Sequence, residues 1–200
     1  MTRKLCLFAL LLLASAVLVA PASAAPRYSF AVKFVCGYNP TNIGQSLHGT
    51  KEGEPTVKFG NYATDINIFN QDYFEIASVR KSVILLVKEG SPEGREPKVQ
   101  KAIAFDGIEL SSMQATMDDC NRIAELIYGV GAVPTPMPLF IGFLVLESNV
   151  DLSVTAVYTA ETCSNWINSP DRLECLDPDG RHQGVGISID VEQIKSRQLL

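Results

Sequence analysis

Apolar and polar residues alternate with a period of two along most of this chain, the pattern of strands with one buried face. Phe30, Val32, Phe34 and Cys36 share one side of a strand over 28–36, and Thr64, Ile66 and Ile68 share one side of a second over 63–70. A β-branched, apolar run predicts a third strand at 79–88, and 99–105 reads as another after a charged turn at 89–97. The polar stretch 37–55 reads as a long loop, followed by a short strand at 56–59. Strands at 139–147 and 152–159 flank Ser148-Asn149-Val150-Asp151, which reads as the turn of a hairpin. A last strand at 185–192 sets Ile187, Ile189 and Val191 against Ser188, Asp190 and Glu192.

One segment has helical spacing instead. Cys120, Ile123, Ala124 and Ile127 recur at i, i+3, i+4 and i+7, so a helix near 117–128 would lay this stripe on the sheet. Thr116 with Asp119 fits a relaxed capping box, and Gly129 and Gly131 supply the stop. Pro134, Pro136 and Pro138 follow as a stiff connection. Many short strands and one brief helix predict an all-β protein with minor α content. The expected fold is a two-layer antiparallel β-sandwich, immunoglobulin-like or jelly-roll-like. A tail at 193–200 would fray or cover an edge strand.

The first 24 residues break this pattern and change the chemistry available to the rest. Arg3 and Lys4 precede an apolar run at 5–20, and Ala22-Ser23-Ala24 offers a small-x-small cleavage site. The run is shorter than the roughly 20 residues of a spanning helix. It reads as a signal peptide, 1–24, leaving one domain at 25–200 that is secreted or periplasmic, with an inserted loop at about 161–183. The leader holds two of the 17 basic residues and none of the 22 acidic ones, so the net charge moves from −5 to −7. That balance argues against nucleic acid, whose phosphates need a basic surface.

Cys6 leaves with the leader, and four cysteines remain in a compartment where they can pair. Three connectivities exist. Proximity favours Cys163–Cys175, which leaves Cys36–Cys120. No C-x-x-C spacing supports zinc.

The segments Lys33-Phe34-Val35-Cys36-Gly37, Gly60 to Ile68 (GNYATDINI), Val154 to Ala160 (VTAVYTA) and Ser188 to Glu192 (SIDVE) together resemble a group of exported bacterial β-sandwich proteins of unassigned function. The resemblance spans most of the mature chain. It implies the fold and compartment and supplies no catalytic residues.

No catalytic set emerges from the residues either. A hydrolase needs a nucleophile beside a base, and only His48 and His182 are available, both in predicted loops. Asp177-Pro178-Asp179-Gly180 has the core of a calcium loop, yet no glutamate completes it, and the same residues make an ordinary turn. Asp177 and Asp179 are therefore weak metal candidates. Trp166, beside Asn165 in the inserted loop, has the chemistry of a binding anchor. Tyr38 and His48 belong to a second adaptable loop. The expectation is a non-catalytic interaction or structural module of the cell envelope, without cofactor, whose partner is a protein or glycan. A carbohydrate- or small-ligand-binding domain is the alternative, possibly calcium-assisted. A hydrolase ranks third, and homo-oligomers are possible through open sheet edges.

Overall fold

A computed structural model describes residues 26–39, 57, 60–162, 166–168, 173–175 and 186–199. The leader and the 40–56 segment lie outside the described residues. The described residues form twelve strands and one helix. In order they are β1 (Tyr28–Asn39), β2 (Gly60–Phe69), β3 (Ala77–Lys88), β4 (Ser91–Pro92), β5 (Ala102–Leu110), β6 (Ala115–Asp118), α1 (Cys120–Tyr128), β7 (Phe140–Ser148), β8 (Ser153–Thr162), β9 (Trp166–Asn168), β10 (Leu173–Cys175), β11 (Gly186–Ile194) and β12 (Arg197–Gln198).

All strand pairings within the sheets are antiparallel, and they build two layers that share β1. Its first nine residues pair with β7, which pairs with β3, which pairs with β5 and β4. Its last three, Gly37 to Asn39, pair instead with β2, which leads to β8 and then β11. Gly37 makes the change of sheet possible. It has φ +91°, and a Cβ there would stand 2.2 Å from the Pro138 carbonyl oxygen. Thr64 of β2 ties the layers together, because its hydroxyl donates to the Val35 carbonyl and accepts from the Val35 N–H, both at 3.0 Å. The fold is thus an all-β sandwich with minor α content.

Alternation places the core between the layers. Phe30, Val32, Phe34, Val83, Leu144 and Leu146 from one sheet meet Ile66, Ile68, Val154 and Ala156 from the other, all fully buried. Phe34 and Phe140 meet edge to face at 5.8 Å between centroids. Gly142 of β7 admits the Phe34 ring, since a Cβ there would lie 2.7 Å from its edge and 2.1 Å from the Ile84 carbonyl oxygen. The helix closes one side with Ile123 and Ala124 buried. A disulfide joins Cys36 of β1 to Cys120 at the helix start, with Cα atoms 5.6 Å apart. The Thr64 N–H donates to the Cys120 Sγ at 3.1 Å.

Four expectations need correction. The 148–151 turn is not a hairpin: β7 and β8 belong to different sheets. Asn149 turns the corner by accepting from the Ser78 N–H and donating to the Ile76 carbonyl, and Val150 and Leu152 drop into the core between the layers. The helix starts later than expected. Asp119 is its N-cap, accepting from the Arg122 N–H at 2.7 Å, while Thr116 lies in β6. Strand β5 starts at Ala102 and runs to Leu110, beyond the expected 99–105, because pairing with β3 continues through Asp106 and Gly107. Finally, Ile189 and Val191 of β11 face outward: they pair with Thr159 and Val157, on the opposite face from the buried Ala156 and Val154. The tail does cover an edge, with β12 paired to the start of β1.

Candidate functional site

Chain connectivity gives the sandwich two unlike ends. At one end β1 finishes, β2 starts and β8 finishes, so Asn39, Gly60 and Thr162 stand together through their pairings. Both long loops nominated by the sequence, 37–55 and about 161–183, leave their strands there. Tyr38 lies at this end, half-buried, with its N–H donating to the Met137 carbonyl at 2.9 Å and burial pushing its phenol above the usual value. It borders a cleft of about 310 Å³ with Asn39, Glu89, Pro136 and Met137. Nearby, Lys88 lies 5.4 Å from the Tyr128 ring centroid. The Tyr128 hydroxyl is buried, and burial together with the Glu89 carboxylate raises its pKa.

Of the nominated residues, His48, Asn165, Asp177 and Asp179 lie outside the described residues, as do Cys163 and His182. The Cys163–Cys175 pairing therefore lies outside them too. Trp166 and Cys175 are placed by backbone only, as opposite positions in the small β9–β10 hairpin. That hairpin gives the inserted loop a regular core that its turn-rich sequence did not predict.

The other end carries a surface the sequence reading missed. The loop between β2 and β3 presents Phe74 at 96% and Tyr73 at 69% exposure, with Ile76 also exposed. Its backbone is nevertheless pinned. Asn70 is fully buried, and its side-chain amide donates to the carbonyls of Glu75, Leu110 and Ser111 at 2.9–3.2 Å. Its side-chain oxygen accepts from the Asp72 N–H at 3.1 Å. Asp72 accepts in turn from the Phe74 and Glu75 N–H groups at 2.7 and 2.8 Å, and these bonds hold its carboxyl below the usual value. The neighbouring β5–β6 turn is joined to the loop by Met113 N–H to the Asn70 carbonyl, and it exposes the Met113 side chain. Beside this patch lies a polar cleft of about 400 Å³ lined by Arg27, Asp72, Glu75 and Asp151. Arg27 is engaged with Glu75 at 3.1 Å. A signal for this end was available in the sequence, since Asp72-Tyr73-Phe74-Glu75-Ile76 sets three large apolar residues in a polar, turn-forming context.

A third feature is a charged cleft of about 390 Å³ between β3, β5, β6 and α1. Lys81 and Asp118 meet there at 2.8–2.9 Å through both carboxylate oxygens, their side chains only 4% and 2% exposed. Asp106 sits opposite Lys81 in the sheet and bonds Arg122, which also reaches Glu125 at 3.0 Å. Burial would raise the Asp106 pKa, but the Gly107 N–H, Arg122 and Lys81 outweigh it and bring the value down. Every charge in this cleft has a partner, and Asp119 is consumed as the helix cap. Such a closed network holds β6 and α1 against the sheet, and no base is left poised beside a nucleophile.

Among the described residues, no group of three or more His, Cys, Asp or Glu side chains is placed to hold a metal ion. No described helix is long and apolar enough to cross a membrane. No family model matches the chain, and no curated protein matches it. A crystal structure of Thermotoga maritima 1070 aligns over 85% of this chain and 94% of that one, at 11% identity and a TM-score of 0.31. A likeness that slight carries no argument about fold or function.

Proposed function

We propose that this protein is an exported, non-catalytic interaction module of the cell envelope that engages a protein partner through its Tyr73–Phe74 end. The observation that carries this reading is the exposure of two aromatic rings on a backbone that is already ordered. Loops lose entropy when they bind, and a loop fixed beforehand by Asn70 and Asp72 loses little. Aromatic anchors of this kind contribute most of the free energy at protein interfaces. Export and the disulfide fit together, because a bond between β1 and α1 persists only in an oxidising compartment. The resemblance to exported bacterial sandwich proteins points the same way. The acidic rim of Asp72, Glu75 and Asp151 favours a partner that sets a basic side chain beside an apolar one.

The Tyr38 end supports a second reading, a small-ligand or glycan site. The cleft there is lined by one aromatic, one amide and stiff proline backbone, and both long segments arise beside it. Capture from the envelope fraction with immobilised protein separates the two. The first reading expects a captured partner to be lost with Phe74→Ala and retained with Trp166→Ala and Tyr38→Ala. The reverse pattern would move the site to the opposite end.

A further inference from the structure

Strand β11 is built the wrong way round for its own sheet. On the strands beside it, the face toward the core carries Ala156 and Val154 of β8 and Ile66 and Ile68 of β2. On β11 that face carries Ser188, Asp190 and Glu192, all exposed, and only Ile194 is buried. The outward face instead carries Ile189 and Val191, at 67% and 61% exposure. On β8 the half-buried Val157 stands opposite Val191 and Thr159 opposite Ile189, so Ile189, Val191 and Val157 form a short apolar patch on the outer border of this sheet. Among the described residues, β8 is the sole partner of β11, and its other edge pairs with no strand. Edge strands of soluble proteins are commonly guarded by lysine, proline, a bulge or inward-pointing charge, and on β11 the last is supplied by Asp190 and Glu192, which any pairing must keep apart. Residues 186–194 contain no lysine or proline, and the β8 pairing runs from Gly186 to Ile194 with no register shift.

We propose that the outer edge of β11 pairs with β11 of a second copy, antiparallel about a two-fold axis at Ile189. The register follows from charge. A two-fold axis normal to the sheet keeps each face on its own side, so the axis must pass through a residue position. An axis at Asp190 sets that carboxylate against itself, and one at Val191 sets Asp190 against Glu192 twice. Like charges directly opposite are destabilising. An axis at Ser188 shortens the described pairing to five residues, since it stops at Gly186. An axis at Ile189 pairs residues 186 to 192 and opposes Asp190 to Ser188 and Glu192 to Gly186. It also sets Ile189 against its own copy and Val191 opposite residue 187. No acidic residue then faces another, and the apolar patches of the two copies become continuous. Self-complementarity of this kind selects a second copy over an unrelated strand. The inference rests on β11 alone and stands or falls independently of the Tyr73–Phe74 end.

The test uses the full exported chain purified from the extracytoplasmic fraction, with mass measured by sedimentation and light scattering. A dimer is expected, and Ile189→Asp, which opposes two carboxylates on the axis, weakens it by about tenfold or more while the melting temperature of the protomer holds. Cysteine variants read the register. Opposite residues in a ladder lie within disulfide reach, so Ile189→Cys crosslinks two copies on oxidation. Val191→Cys does not, because its copies stand four residues apart, about 13 Å. A monomer at all concentrations overturns the proposal, whether the edge is covered by the chain's own segments or by nothing. A dimer indifferent to Ile189→Asp, or one crosslinked equally through Val191→Cys, overturns it as well.

Discussion

Removing the Asp118 carboxylate should be among the most damaging single changes to this fold, although Asp118 is a charged residue on a strand of only four residues. In the native protein the Lys81 ammonium donates to both Asp118 oxygens and is shielded from water on β3. Asp118→Ala leaves that cation buried without its partner. Breaking a buried pair from one side costs about 3–5 kcal/mol. The lower part of that range is the better expectation, because Asp106 lies across the ladder from Lys81 and still attracts it. At roughly 2–4 °C per kcal/mol for a domain of this size, the melting temperature should fall by at least about 6 °C. The double variant Lys81→Met with Asp118→Leu removes both charges and keeps the branching of the side chains, so it should recover most of the loss. Thermal and urea unfolding of Lys81→Met, Asp118→Leu and the double variant give the coupling directly. A loss below about 1 kcal/mol for Asp118→Ala would refute the claim that the pair is dry and structural. A double variant worse than either single would do so too.

Two further predictions concern the staple and the sheet border. The Cys36–Cys120 bond closes a loop of sequence separation 84, so the Cys36→Ala, Cys120→Ala variant should lose about 4.6 kcal/mol on the chain-entropy estimate. Chemical denaturation measures this, and a change near zero, or four free thiols in intact-mass analysis of the exported protein, would contradict it. Tyr158 of β8 is raised to about 12 by burial and by Glu192, whose carboxylate accepts from its hydroxyl at 3.3 Å. A phenol with a raised folded value contributes stability below its ordinary value near 10 that is lost as the pH rises from there toward 12. Phenolate absorbance should show Glu192→Gln lowering the Tyr158 titration, and an unchanged titration would contradict the assignment.

The core strands were legible because their burial is local to each strand. Phe30, Val32, Phe34 and Cys36 announce one buried face whatever the neighbouring strands do. The Cys36–Cys120 bond was legible by counting, and the helical stripe placed one of its cysteines on the helix. What the sequence withheld depends on tertiary partners. Lys81 reads as a solvent-facing break in an apolar run, since nothing local shows that Asp118 waits on β6. Ser148 to Asp151 reads as a hairpin turn, because a corner between sheets uses the same residue types and differs only in what its flanks pair with. Strand β11 has a clean alternation, but period alone cannot say which face meets the core. Trp166 is the more conspicuous anchor in the sequence, and the significance of Tyr73 and Phe74 rests on Asn70, whose hydrogen bonds reach across some forty residues of sequence.

Affinity for a captured partner decides whether the pre-ordered Tyr73–Phe74 end is the binding surface. With the partner in hand, calorimetric titration of the wild type and Phe74→Ala should differ by about 2 kcal/mol, roughly thirtyfold, with the melting temperature unchanged because Phe74 is 96% exposed. Equal affinities in the two proteins, with loss appearing only on substitution at the Tyr38 end, would contradict the account.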